Sequence, residues 1–257
     1  MSIDTYFIGL ALMLGVGTLG WLLSLIKQDV SVVDSLWSLF FLLGAIIYID
    51  AAGAGWREGF LLALVMVWAL RLSFYIAWRH RGQDEDARYQ DIRENNQPNF
   101  ALKSVYLIFG FQALLAWIIS IPLFAALQNP SGFGWLELLG ISLWLAGMFF
   151  EAVGDQQMYD FKQNPDNHGK VMNHGLWGYT RHPNYFGEFL IWWGYFAFAL
   201  GSGAWWTIVS PLIMSILLLK FSGVALTEKK MSDRPGYREY IASTNAFFPG
   251  PPSRTAS

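Results

Sequence analysis

Residues 59–78 read GFLLALVMVWALRLSFYIAW, twenty residues with one charge, Arg71. As a helix this stretch is about 30 Å long, which matches the hydrocarbon thickness of a bilayer. Six more stretches follow the same pattern, so seven transmembrane helices are expected over Tyr6–Ile26, Val33–Ile49, Gly59–Trp78, Ser104–Leu127, Trp135–Val153, Asn184–Gly201 and Trp205–Leu226. Tyr6, Tyr48, Trp56, Tyr106, Trp135 and Trp205 sit near the ends of these runs, as an interfacial aromatic belt requires. The composition agrees. Of 257 residues, 54% are hydrophobic, 17% aromatic and 14% charged, against roughly 25% charged in a soluble globular domain. The expected fold is therefore an all-α, polytopic integral membrane protein forming one membrane domain over 1–257.

Orientation follows from the basic residues. With the N-terminus outside and the C-terminus cytoplasmic, the gaps at 27–32, 79–103 and 154–183 and the tail carry fourteen Lys and Arg, whereas the opposite loops carry only Arg57. Met1–Phe7 contains Asp4 and no basic residue, so the first apolar run is expected to span rather than to be a cleaved signal. Seventeen basic against nineteen acidic residues leave no cationic excess for nucleic acid. The absence of cysteine excludes disulfides, thiolate nucleophiles and cysteine-ligated metal centres. The four histidines lie in cytoplasmic loops without a ligand spacing, so no metal is expected. The tail from Met231, with Pro235, Gly236 and Pro249-Gly250-Pro251-Pro252, reads as a short turn and helix.

A charge inside an apolar span is costly and marks a paired or solvated site. Asp34, Arg71, Glu151, Glu188 and Lys220 are such residues, with Asp155 just beyond the fifth span. Trp68, Arg71 and Tyr75 share one helix face, as do Glu151 and Asp155. Arg181, Asn184, Tyr185 and Glu188 form a stripe if the sixth helix begins near His182-Pro183. Plainer roles stand beside these: an Asp34–Arg71 structural ion pair, a capping Glu188, a Lys220 that snorkels to the surface. The densest polar segment, from Gly154 to Glu188, combines Lys162, Lys170, Arg181 and His182 with amides and tyrosines. Cations suit phosphates, amides suit hydroxyls, and aromatic rings suit a flat heterocycle. Neither the Rossmann glycine fingerprint nor a P-loop is present, so a nucleotide-like cofactor has to be held by loops and helix ends.

The pattern Gly175-Leu176-Trp177-x-Tyr179-x-Arg181-His182-Pro183-Asn184-Tyr185-x-Gly187-Glu188, with the later Glu228-Lys229-x6-Gly236-Tyr237-x2-Tyr240, resembles the C-terminal half of the steroid 5α-reductase superfamily. It is most similar to bacterial members known as a domain of unknown function. The resemblance implies a seven-helix enzyme of the bacterial inner membrane that uses NADPH to reduce a carbon–carbon double bond conjugated to a carbonyl. The lipophilic substrate would enter from the bilayer. It puts a substrate pocket in the three helices of 1–103, and a cofactor site in the four helices, loop and tail of 104–257. Asp155, Tyr179, Asn184 and Glu188 fall where the family meets NADPH. Lys162 and Lys170 fall where it has phosphate-facing arginines, and Lys220 lies near another such position. Arg181, His182, Tyr185 and Glu228 complete the candidate cofactor residues.

Aligning Arg71 with the family's third-helix arginine puts Asp34 on its substrate-site glutamate. Val33 then stands for a glutamine and Trp68 for the family's tyrosine. An indole cannot act as a general acid, so either Tyr75 supplies the proton or the substrate differs from a 3-ketosteroid. The R-H-P-x-Y-x-G pattern is also similar to membrane methyltransferases of the isoprenylcysteine carboxyl type, which bind S-adenosylmethionine. Those carry paired glutamates where this chain has Thr227-Glu228. A non-enzymatic lipid-binding protein is the third reading.

Overall fold

The computed structural model describes residues 3–52, 55–128, 132–221, 224–231 and 234–252. Among them every regular element is helical and no strand occurs. The helices are α1 (Ile3–Lys27), α2 (Val32–Ala52), α3 (Trp56–Arg79), α4 (Ala87–Asn95), α5 (Phe100–Ser104), α6 (Phe111–Ile119), α7 (Ile121–Gln128), α8 (Trp135–Gln163), α9 (Pro183–Gly201), α10 (Val209–Ile216), α11 (Val224–Met231) and α12 (Tyr237–Ser243). Among the described residues, five stretches are long and apolar enough to cross a membrane: Ile3–Lys27, Val32–Ile49, Trp56–Arg79, Phe100–Ile119 and Trp135–Gln163. Trp205–Lys220 is a shorter apolar helix, and α9 covers the sixth expected span. Residues 222–223 of the seventh expected span, and Arg254 of the tail, lie outside the described residues. The chain is an integral membrane protein by this helical content.

The chain divides into two compact units, Met1–Phe133 with Ala199–Thr207 and Gly134–Phe198 with Ile208–Ser257. The fourth expected span thus belongs to the first unit. In that unit α2 is central: 50% of its apolar window is buried, against 28% for α1 and for α3. Phe40, Phe41, Ala45 and Tyr48 of α2, Met13 of α1 and Leu61, Val65 and Trp68 of α3 are buried, α2 packs against both helices, and the Phe41 and Trp68 rings lie 5.8 Å apart. Ser38 Oγ donates to the Ala69 carbonyl at 2.8 Å, closing one polar atom inside the apolar contact. Outward faces remain greasy (Leu19 and Ile26 on α1, Val67 and Phe74 on α3), which suits lipid rather than water. The fourth expected span is not one continuous α-helix. A π-helical turn, Val105–Gly110, precedes α6, and the helix breaks at Ser120. Pro122 lacks the N–H that would continue the ladder, and Ser120 Oγ turns back to the Trp117 carbonyl at 2.7 Å.

In the second unit α8 runs 29 residues, about 43 Å, so it outruns a ~30 Å hydrocarbon layer by several turns. The expected end at Val153 marks where charge begins, not where the helix stops. Gly154–Gln163 contains no proline, and the helix ends only at Asn164, which precedes Pro165. Asn164 then caps the following 3-10 turn by accepting from Asp166 N at 3.0 Å. Glycines Gly140 and Gly147 of α8 lie against Gly194 and Gly187 of α9, backbone to backbone. This close seam places Glu151, Asp155 and Glu188, all buried, along one line.

Candidate functional site

The projecting end of α8 forms one wall of a cavity of about 480 Å³ within the second unit. That volume suits a small-molecule or cofactor site. Met158, Phe161 and Lys162 come from α8, and His168 and Lys170 from the loop that follows. Trp177, Arg181 and His182 belong to the segment leading into α9. Thr227 and Met231 of α11, then Arg234, Tyr237 and Tyr240, close the other side. Flat aromatic faces and cations therefore share one hollow. Trp177 is fixed by donating Nε1–H to the Gly154 carbonyl at 3.0 Å. Tyr240 Oη donates to the Trp177 carbonyl at 2.6 Å. Burial pushes the phenols of Tyr237 and Tyr240 above their ordinary value, so both remain donors.

Glu228 organises the basic segment. Its Oε1 accepts from Arg181 Nε at 2.8 Å and lies 2.7 Å from Arg181 Nη2 and 3.3 Å from His182 Nε2. Burial lowers the His182 imidazole to about 4, more than the neighbouring Glu228 carboxylate raises it. The ring is consequently neutral at physiological pH, and it lies nearly parallel to the Tyr185 ring, 5.5 Å between centroids. Arg181 is offset by Glu228, while Lys162, Lys170 and Arg234 add positive charge to the hollow. The arrangement can hold an anionic ligand with a planar ring system.

The sequence-derived candidates divide accordingly. Lys162, Lys170, Arg181 and His182 share the cavity wall, and Glu228 touches two of them. Asp155, Asn184 and Glu188 lie instead on the α8–α9 seam. There Asn184 Nδ2 donates to Asp155 Oδ1 at 3.4 Å, and Trp192 Nε1 donates to Glu188 Oε1 at 3.1 Å. Tyr179 is exposed, and its carbonyl accepts from Gly250 N at 3.0 Å. Lys220 is exposed in a π-helical turn, Leu217–Phe221. His168 and Arg234 are cavity residues that sequence reasoning missed. Tyr237 and Tyr240 were visible as part of the tail motif but not as walls.

In the first unit Asp34 lies in the first turn of α2 and draws its partners from α4. Arg88 Nη2 donates to Asp34 Oδ2 at 2.7 Å, and Tyr89 Oη donates to Asp34 Oδ1 in a short bond. Gln112 Nε2, on α6, donates to the same phenol oxygen at 3.1 Å. Burial first, then the Asp34 charge, raises the Tyr89 phenol well above its ordinary value. Arg88 stays charged: burial would lower it, but Asp34 and the hydrogen bond to Asp86 outweigh that.

Local sequence explains the placement of α4. Asp86 caps it by accepting from Arg88 N at 2.9 Å, and Asp86 N donates to Ser31 Oγ at 2.9 Å. Glu85 accepts from Val30 N at 2.9 Å and from Arg93 Nη2 at 2.7 Å. Arg71 and Tyr75 sit together on α3, with the Arg71 guanidinium 5.9 Å and the Arg79 guanidinium 5.4 Å from the Tyr75 ring. Arg88 and Tyr89 were missed because the 79–103 gap reads as a polar connector, and Gln112 because it is one uncharged amide within an apolar span. The Asp-x-Arg-Tyr cap signal was the gap's only local clue.

Comparison with known proteins adds a lineage to this geometry. The chain belongs to the family described as protein of unknown function DUF1295, whose profile matches residues 20–244, within the steroid 5-alpha-reductase-like superfamily. An uncharacterised protein of Schizosaccharomyces pombe is 28% identical over 283 residues, covering 96% of this chain and 80% of the relative. The 3-oxo-5-alpha-steroid 4-dehydrogenase 1 of Macaca fascicularis is 38% identical over 109 residues, 40% of this chain and 39% of that protein. The steroid 5-alpha-reductase DET2 of Gossypium hirsutum is 27% identical over 101 residues, 37% of this chain and 38% of that protein. The chain thus spans about two fifths of the length of the steroid reductases it matches. No solved structure matches it.

Proposed function

We propose that this protein is an NADPH-dependent membrane reductase of a carbon–carbon double bond conjugated to a carbonyl, acting on a lipophilic substrate that enters from the bilayer. The observation that carries the reading is the basic, aromatic-walled cavity of the second unit. Its residues fit the group: Lys162, Lys170 and Arg234 suit phosphates, and Phe161, Trp177, Tyr237 and Tyr240 suit flat rings. S-adenosylmethionine has no phosphate and carries a sulfonium cation, so this charge pattern disfavours the methyltransferase alternative. When bound, NADPH supplies a hydride. The steroid reductases among the relatives support the class of reaction. The basic residues of the gaps and tail support a cavity on the cytoplasmic side of a bacterial cell membrane.

This chain's own residues have two tasks. The cavity binds and orients the dinucleotide through its cations and rings. In the first unit, Tyr89 is the candidate donor to a carbonyl oxygen that gains negative charge, its O–H turning from Asp34 to the substrate, while the Asp34 carboxylate accepts from Arg88 and Tyr89 and orients the phenol. Gln112 and Arg88 fix that pair by occupying the other polar positions around it. Arg71 with Tyr75 is the second candidate pair, on α3. Apolar helix faces keep bulk water from the polar groups within each unit.

The test is NADPH oxidation, followed by absorbance, in purified protein given lipid-soluble enones and the corresponding saturated ketones. Oxidation with an enone, and a product heavier by two hydrogens, is expected. Methyl transfer to the substrate with no NADPH consumption would overturn the reading.

A further inference from the structure

The cations around the cavity have different surroundings. Arg181 is only 8% exposed, and a guanidinium has five N–H donors. Four of them already point at acceptors of this chain. Nε and Nη2 address Glu228 Oε1 at 2.8 and 2.7 Å. Nη1 addresses the Ile241 carbonyl at 3.2 Å and the Thr244 carbonyl in a shorter bond. The Arg181 backbone N–H donates to the Asn245 carbonyl at 2.9 Å, and Thr180 Oγ1 donates to the Phe247 carbonyl at 2.8 Å. Lys170 and Arg234 line the same cavity and are exposed.

Turning Arg181 toward a ligand would strip the Glu228 carboxylate and two carbonyls of this donor and break a largely buried ion pair, which is costly. Lys170 and Arg234 can meet an anion with little desolvation. Tyr237 and Tyr240 of the wall lie on the segment that Arg181 grips, and Arg234 comes shortly before it. The fork spends four N–H groups, fixed in one plane, on these three acceptors, whereas a lysine ammonium offers three from a single atom, so lysine is a poor substitute.

We propose that Arg181 is a positioning residue: with Glu228 it clamps the C-terminal segment Tyr237–Gly250 onto the loop Trp177–His182 and so builds one wall of the cavity, while Lys170 and Arg234 meet the ligand's phosphate. The identity of that ligand rests on the dinucleotide reading above; the clamp does not.

The experiment has two arms on the full chain in detergent. Hydrogen exchange on ligand-free protein reads the clamp, and calorimetry with adenosine 2′,5′-bisphosphate at two salt concentrations reads the phosphate contact. Arg181→Lys should speed exchange at amides of residues 241–250 by tenfold or more, on the order expected when charge-assisted bonds are lost. Glu228→Gln, which keeps the shape, should do the same and serves if the lysine variant does not fold. Lys170→Ala and Arg234→Ala should leave exchange unchanged, weaken the probe about tenfold each, and flatten its salt dependence. Wild-type exchange in both Arg181→Lys and Glu228→Gln overturns the clamp. Unchanged probe affinity in both Lys170→Ala and Arg234→Ala overturns the phosphate assignment. Wild-type protein that ignores the probe overturns that assignment too, and removes support from the dinucleotide reading, while the exchange arm still decides the clamp.

Discussion

Replacing Gly187 by alanine tests whether the α8–α9 seam is as close as the structure has it. A Cβ at position 187 would lie 2.5 Å from the Gly147 carbonyl oxygen, 2.6 Å from Glu151 N and 2.8 Å from Glu151 Cβ. Two of these three are backbone atoms, so no side chain can swing away and the helices must part. Forcing extra volume into a packed contact costs about 1–3 kcal/mol, and alanine returns about 1 kcal/mol of helix propensity. The net loss reaches about 2 kcal/mol at its upper end, or roughly 4–8 °C in Tm for a chain of this size. Gly15→Ala is the control. Gly15 lies in the middle of α1 with nothing within 4 Å of its would-be Cβ, so only the propensity gain applies and the Tm should hold or rise. Thermal unfolding of detergent-solubilised protein, followed by tryptophan fluorescence, compares the two. If Gly187→Ala melts at or above Gly15→Ala, the backbone contact at the seam is wrong, and with it the line that holds Glu151, Asp155 and Glu188.

Tyr89→Phe should lower enone turnover about a hundredfold, the scale of a lost general acid, and Asp34→Asn, which removes the carboxylate that orients the phenol, should lower it too, with NADPH affinity within twofold of wild type in both. A larger loss in Tyr75→Phe than in Tyr89→Phe would move the donor to α3. The His182 imidazole is held at about 4 in the fold by burial, whereas in the unfolded chain it protonates near its ordinary 6.5. Between those values the unfolded state binds more protons, so stability should fall as pH drops from about 6.5 to 4, by on the order of 3 kcal/mol. His182→Gln should flatten the pH dependence of unfolding in that window; an unaltered slope would refute the buried neutral imidazole.

The helices were legible because lipid imposes a simple rule on composition, and α1, α2 and α3 fall within a few residues of their expected bounds. What the rule reads is where charge begins. It therefore ended the fifth span at Val153, although α8 continues to Gln163 and supplies a cavity wall from those extra turns. The start of α9 at Pro183 was readable from the tolerance of proline in a first turn. Arg181 and Glu228 were both recognisable as candidates. Their bond, spanning 47 residues of sequence, has no local signature. Asp34 likewise stood out as a charge in an apolar run. Its partners Arg88 and Tyr89 lie 54 and 55 residues away in a helix too short and too polar to announce a packing role. Pairings of this kind are set by tertiary folding, which periodicity does not record.

Direct titration of the purified protein with NADPH, read by tryptophan fluorescence, bears most closely on the cavity, because Trp177 lines it. Saturable binding that adenosine 2′,5′-bisphosphate displaces and S-adenosylmethionine does not is the expected result. Saturable binding of S-adenosylmethionine with none of NADPH would contradict it.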